Sequence, residues 1–208
     1  MKIGILGSGD IGGSLGQLWS QAGHQVFYAS RHPETLRQLA QCSGGAGVGG
    51  VDDALAFSDI VLDALPFGVS VKLSAAKLGG KTLLHASNYY AQRDGLVELG
   101  DLSQSEYLAQ RLPDTQIIKA FNMMFASEMQ SRVDAEPEQE LAIFVAGDEE
   151  SGRAIAKTLI HDAKFVAVDA GSLARGRLFE SGGPLYAKRF NATKAKAELA
   201  LADPVASS

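Results

Sequence analysis

Apolar residues fall along this chain in short unbroken runs separated by segments of helical period. The runs are 2–6 (KIGIL), 25–29 (QVFYA), 59–65 (DIVLDAL), 81–86 (KTLLHA), 115–120 (TQIIKA), 141–146 (LAIFVA) and 164–168 (KFVAV), with a short one at 46–49. Each has strand length. Their hydrophobicity is continuous rather than alternating, as in strands covered on both faces. Between the first two runs, Ile11, Leu15, Leu18, Trp19 and Ala22 recur on one face of a helix. Residues 149–162 (EESGRAIAKTLIHD) show a similar pattern, and 102–112 forms a further helix. Alternating strands and helices predict an α/β fold, a doubly wound and mostly parallel sheet. The least regular stretch is 87–100 (SNYYAQRDGLVELG). A long connection of this kind in a compact domain is often functional.

Composition narrows the class. The chain has 208 residues, enough for one large domain. Its net charge of −5 gives no reason to expect a nucleic-acid partner. No run approaches the ~20 apolar residues of a membrane span, and the N-terminus lacks the pattern of a signal peptide. Cys42 is the lone cysteine, so no intramolecular disulfide forms, which fits a reducing compartment. The expectation is a cytoplasmic protein with no membrane partner and no metal site.

The first run leads into Gly7, Ser8, Gly9, Asp10, Ile11 and Gly12. This G-x-G-x-x-G follows a predicted strand and opens a predicted amphipathic helix, the context in which the pattern signals a dinucleotide. The first glycine permits the tight turn, the second lets a pyrophosphate approach, and the third lets helix and strand pack closely. The helix N-terminus then offers N–H groups to the phosphates. Residues 1–193 are therefore expected to be a Rossmann dinucleotide-binding domain. Residues 194–208 are an alanine-rich C-terminal tail whose last turn frays.

The second run ends in Ser30-Arg31-His32. NAD-binding relatives of this fold place a carboxylate there for the ribose 2′-hydroxyl. Here a hydroxyl, a guanidinium and an imidazole suit a 2′-phosphate instead. Pro33 begins the next helix. NADP(H) is the expected cofactor.

The other strand ends expected to face the cleft are Leu65-Pro66-Phe67, Ser87-Asn88-Tyr89 and Ala120-Phe121-Asn122-Met123. They form a mostly apolar floor with amides. No side chain stands out as a catalytic acid or base. His24 lies in a turn and His161 at a helix end; His85 reads as a core histidine. Lys119 either reaches the cleft or pairs with an acid.

ILGSGDIG, ASR, IIKAFN and VDAGSLARGRLFESGGPL, in that order, resemble the NADP oxidoreductase, coenzyme F420-dependent family. The cytosolic domain of the six-transmembrane epithelial antigen metalloreductases is similar, and KAFN is closer to that group. The resemblance implies a Rossmann fold binding NADPH. Gly7 to Ile11 would serve the pyrophosphate and Ser30 and Arg31 the 2′-phosphate. Asn88 and Ala120-Phe121-Asn122 would lie near the nicotinamide. It also implies hydride transfer between NADP(H) and a small-molecule acceptor: coenzyme F420, FMN or FAD. A carbonyl or imine reductase and a non-catalytic NADPH sensor are the alternatives. The 171–193 segment, with exposed-looking Leu178, Phe179, Leu185 and Tyr186, offers a surface for a homodimer.

Overall fold

The computed structural model describes residues 1–134, 136 and 139–202. Eight strands form one sheet in the order β3-β2-β1-β4-β5-β6-β7-β8. They are β1 Lys2–Leu6, β2 Gln25–Ala29, β3 Gly47–Gly49, β4 Ile60–Asp63, β5 Thr82–His85, β6 Gln116–Lys119, β7 Ala142–Ala146 and β8 Val166–Gly171. All neighbours run parallel except β6 and β7. The fold is the expected α/β, Rossmann-like, mostly parallel sheet with helices on both faces.

β1 and β2 fill their apolar runs completely, whereas other strands depart from theirs at the ends. β4 stops at Asp63, before Leu65 and Pro66, because the chain turns there toward a short helix. β8 starts late, since Lys164 takes a left-handed φ of 62° and ends the preceding helix in a tight turn.

Alternate residues of each strand serve opposite layers. Ile3, Ile5, Leu62, Leu84 and Ile118 face one layer. That layer is built around α1 (Asp10–Gln21) together with α8 (Ala126–Asp134), α9 (Glu150–Asp162) and α10 (Ala192–Ala202). Leu6, Val61, Leu83 and Ile117 face the other. There α3 (Val51–Phe57), α5 (Ala75–Leu78) and α7 (Gln104–Arg111) cover the sheet. The remaining helices are short: α2 (Arg37–Cys42), α4 (Phe67–Ser70) and α6 (Ala91–Asp94). Ser103 and Glu106 cap α7 reciprocally, which fixes its start inside the predicted 102–112. The irregular 87–100 stretch holds only the single turn of α6.

In α10, Ala195 and Leu199 are buried and the helix packs against β7 and β8. The fraying expected at the end of the tail falls on residues 203–208, which lie outside the described residues. Phe179 and Leu185, expected to offer a dimer surface, are 0% and 2% exposed in the chain's own core. Phe179 stacks on Phe144 with ring centroids 5.4 Å apart. Among the described residues no helix is long and apolar enough to cross a membrane.

Trp19 ties α1 to α9 and to the cleft. Its Nε1 donates to the Leu159 carbonyl at 2.8 Å, and its ring meets Phe121 edge-on at 5.8 Å. Trp19→Phe keeps the apolar ring and loses the donor. It should cost about 1–2 kcal/mol of stability in urea unfolding, the range for a lost buried hydrogen bond plus some packing.

Candidate functional site

The three motif glycines have different neighbours. Gly7 turns the chain with φ 95°, and a Cβ there would lie 2.7 Å from the Ala64 carbonyl oxygen. A Cβ on Gly12 would lie 2.0 Å from the Gly7 carbonyl oxygen, so this position lets α1 close onto β1. A Cβ on Gly9 would meet no protein atom within 4 Å. Gly9 is also the N-cap of α1, and no side chain caps the helix. First-turn N–H groups thus face an open space with no side-chain acceptor. This donor set fits a pyrophosphate.

Hollows lie on either side of this loop. The first, of about 350 Å³, is lined by Gly7, Ser8, Ala29, Ser30, Arg31, Val51, Leu65, Pro66, Val69 and Leu73. Its walls are mostly apolar, as a purine needs, and Ser30 and Arg31 supply polar groups. Ser30 Oγ accepts from the His32 N–H at 3.0 Å. Arg31 is exposed and, among the described residues, pairs with no carboxylate. His32 does not line the hollow; its exposed ring faces Glu34 at 3.5 Å. Of the two acids in the first turn of α3, Asp53 accepts from the Gly50 N–H at 2.8 Å and Asp52 pairs with Lys77 at 2.6 Å.

The second, of about 250 Å³, opens at the C-terminal ends of β4, β5 and β6. Ile11, Ala64, Leu65, Pro66, Ala86, Ser87, Asn88, Tyr90, Arg93, Phe121, Asn122, Met124 and Tyr186 line it. Leu65 and Pro66 are shared by both hollows. The two hollows thus meet at Leu65 and Pro66, beside the glycine loop.

The floor of the second hollow is a hydrogen-bonded amide pair. Asn88 Nδ2 donates to the Asn122 carbonyl at 2.7 Å, and Asn122 Nδ2 donates to Asn88 Oδ1 at 3.0 Å and to the Phe179 carbonyl at 2.8 Å. Phe121 holds a left-handed φ of 63°, unusual for a bulky side chain. This bend carries Phe121 and Asn122 from β6 into the cleft. Tyr90 and Tyr186 hydrogen-bond through their hydroxyls, and Arg93 stacks on the Tyr90 ring at 5.1 Å. Burial, then the Tyr90 hydroxyl, pushes the Tyr186 phenol up to about 12.

Besides His32, four residues expected at the cleft sit elsewhere, among them Tyr89, which lines neither hollow and donates its hydroxyl to the Gly95 carbonyl at 2.9 Å. Phe67 is fully buried, packed between His85 at 6.0 Å and Tyr89 at 5.6 Å, and lines neither hollow. Ala120 and Met123 belong to the core. Met124, Tyr90, Arg93 and Tyr186 line the cleft instead, and sequence reasoning missed them. The signal for the tyrosines was present in the irregular 87–100 and glycine-rich 176–186 segments, whose meeting only the fold reveals.

Below the cleft lies a row of buried ionisable groups. Parallel register sets Asp63 beside His85 and His85 beside Lys119. His85 Nδ1 contacts Asp63 Oδ2 at 3.0 Å, while its Nε2 has no partner. Burial, then the Lys119 ammonium, lowers the His85 pKa, so the ring is neutral. Lys119 donates to the Ser87 carbonyl and faces Glu180 at 3.8 Å. Burial brings its ammonium down to about 8 against the pull of Glu180 and Asp63. His85 is thus a core histidine, half satisfied, and Lys119 pairs with an acid. His24 bonds Asp162 at 2.8 Å, and His161 is an exposed helix end.

Residues 2–89 match the model of the NADP oxidoreductase coenzyme F420-dependent family. The resemblance seen in the motifs holds. Among curated proteins, metalloreductase STEAP3 of Rattus norvegicus is 29% identical over 182 residues, 86% of this chain and 36% of that one. Metalloreductase STEAP2 of Homo sapiens is 26% identical over 183 residues, 87% and 35% of the respective chains. The chain thus spans about a third of the length of these curated relatives. Hypothetical protein SMa0349 from Sinorhizobium meliloti superposes with a TM-score of 0.76 at 26% identity, over 92% of this chain and 95% of that one. A candidate F420-dependent NADP-reductase from Arthrobacter sp. FB24 gives 0.69 at 23% identity, over 83% and 85%. An imine reductase from Pseudomonas sp. gives 0.60 at 18%, over 82% of this chain and 55% of its own. The last two likenesses concern the fold.

Proposed function

We propose that this chain is an NADPH-dependent oxidoreductase that passes a hydride to a planar flavin or deazaflavin acceptor stacked at the mouth of the second hollow. The observation that carries the cofactor reading is Ser30 and unpaired Arg31 at the end of β2, beside the adenosine-sized hollow and with no acid in that place. The adenosine half would lie against Val51, Val69 and Leu73, the pyrophosphate over the first turn of α1, and the nicotinamide against Asn88, Phe121 and Asn122. When bound, the nicotinamide supplies the hydride chemistry. The chain's own residues bind, orient and exclude water.

The acceptor reading rests on what the cleft lacks. Among the described residues that line it, the ionisable groups are Tyr90, Arg93 and Tyr186. None of these is a ready acid–base catalyst near neutral pH, whereas stacked rings need proximity and orientation above all. The family description, which names coenzyme F420, supports this chemistry. The acceptor is small, and neither nucleic acid nor membrane takes part.

Arg31→Ala should weaken NADPH binding about tenfold, the scale of one charge-assisted phosphate contact, and leave NADH nearly unchanged. Calorimetry with both nucleotides checks this; equal losses overturn the assignment. Anaerobic turnover of NADPH with coenzyme F420, FMN, FAD and small imines or ketones then sorts the acceptor. No turnover with any of them would favour a sensor, and turnover confined to imines or ketones a substrate reductase.

A further inference from the structure

The buried row beneath the cleft has no part in the proposed chemistry so far. Asp63, His85 and Lys119 are each 0% exposed and Glu180 is 2% exposed. Isolated buried charges are costly, so their presence calls for compensation and invites a role. Hydrogen-bond roles fix their charges. Asp63 accepts from the Leu65 N–H at 3.2 Å, from Ser70 Oγ at 3.0 Å and from His85. Glu180 accepts from the Gln104 N–H at 2.9 Å, the Ser105 N–H at 3.0 Å and Ser105 Oγ at 2.7 Å, with Lys119 beyond. Both carboxyls act only as acceptors, as carboxylates do. Lys119 offers the one cation and His85 is neutral. The row therefore holds a net negative charge.

Its connections lead to the cleft. Asp63 holds the backbone of Leu65, and Lys119 holds the carbonyl of Ser87, both of which line it. On either side of Glu180, the Phe179 carbonyl receives Asn122 and the Ser181 N–H donates to Asn88 Oδ1 at 3.2 Å. Asp63 and Lys119 are each one hydrogen bond from the cleft lining, and Glu180 reaches it through its two chain neighbours and one further hydrogen bond from each.

We propose that Asp63, Lys119 and Glu180 tune the hydride-donating strength of the bound nucleotide by setting a net negative charge beneath its nicotinamide. This rests on the reading of the cleft given above. A dihydronicotinamide ring is neutral, and its oxidised form carries one positive charge. Negative charge below therefore favours NADP⁺ over NADPH in the site. A couple whose oxidised form is bound more tightly is a stronger reductant. In the transfer the C4–H bond breaks, and its electron pair and hydrogen form the new bond on the acceptor ring. The positive charge left behind is what the row stabilises. Through a medium of low dielectric such charges act without touching the ring. They are positioning residues, since none contacts the reacting atoms.

The test is the ratio Kd(NADP⁺)/Kd(NADPH), measured by calorimetry, with thermal melting to confirm that each variant is folded. Asp63→Asn and Glu180→Gln each remove a negative charge at constant shape and should raise the ratio about three- to tenfold. Lys119→Met removes the cation and should lower it. A purely structural role would weaken both nucleotides together and leave the ratio alone. In the unmodified protein, the ratio should also fall as pH rises through about 8, where Lys119 gives up its proton. The groups facing Lys119 are Asp63, His85 and Glu180, with the neutral Gln104 and Ser105 beyond. A ratio that ignores charge, or moves the same way in all variants, overturns the inference, as does a flat ratio in the unmodified protein. If both nucleotides bind normally and only the ratio fails to respond, the cleft assignment stands. If neither binds, both fall.

Discussion

Gly9→Val is expected to weaken NADPH binding about a thousandfold or more, a loss above ~4 kcal/mol, while the protein melts near its original temperature. The backbone at Gly9 has φ −75°, which valine adopts freely. A Cβ there meets no protein atom within 4 Å. The substitution therefore brings no clash at its Cβ, and the loss of a glycine N-cap to valine costs no more than about 1 kcal/mol. What the valine methyls would occupy is the open space before the first turn of α1, where a pyrophosphate would accept its hydrogen bonds. Gly12→Val provides the contrast. Its Cβ would overlap the Gly7 carbonyl oxygen at 2.0 Å, so that variant should lose the fold rather than the ligand alone. Calorimetry on the folded Gly9 variant decides the matter. Normal NADPH binding there would move the phosphate site away from this loop.

Much of this architecture could be read from the chain because parallel strands announce themselves. KIGIL, QVFYA and LAIFVA are apolar at successive positions, and only a strand buried on both faces needs that. Strand direction is different. β7 has the same character as its parallel neighbours yet runs antiparallel to β6, and nothing in a run of apolar residues encodes orientation. The glycine loop and the Ser30-Arg31 pair were legible because each lies within one continuous stretch. The buried row was not. His85 and Lys119 each read as a polar interruption of an apolar strand. That they stand side by side with Asp63 follows from register between strands far apart in sequence, and Glu180 arrives from still further along the chain.

The cleft itself was legible by region and less so by residue. Strand ends 65–67, 87–89 and 120–123 do converge, but the turn after each strand decides which side chain looks inward. After β4 the chain starts α4 at once, which drives Phe67 down among His85, Tyr89 and Tyr107. After β6 the left-handed Phe121 reverses the expected alternation, so Phe121, Asn122 and Met124 line the cleft and Met123 enters the core. Apolar residues in the glycine-rich 176–186 segment look exposed from sequence. Phe179 and Leu185 instead fill the core, leaving Tyr186 to reach Tyr90 across the cleft mouth.

Asn122→Ala should slow the single-turnover hydride step about a hundredfold, the scale of a misplaced reacting group, while weakening NADPH binding less than about fivefold. The argument starts from what the side chain holds. Its Nδ2 satisfies Asn88 Oδ1 and the Phe179 carbonyl, and its own backbone carbonyl receives Asn88 Nδ2. Its Oδ1 is buried with no partner. Alanine removes that acceptor and loosens Asn88 and the 179–181 segment together. The proposed phosphate contacts, at the glycine loop and Arg31, would be untouched and would keep most of the binding free energy. The ring would then sample orientations in which its reactive carbon is no longer about 3–3.5 Å from an acceptor stacked at the Tyr90–Tyr186 mouth. Stopped-flow oxidation of bound NADPH by FMN or coenzyme F420 reads the rate, and calorimetry reads the affinity. Loss of affinity as large as the loss of rate would make Asn122 a binding residue and place the nicotinamide's orientation under other control.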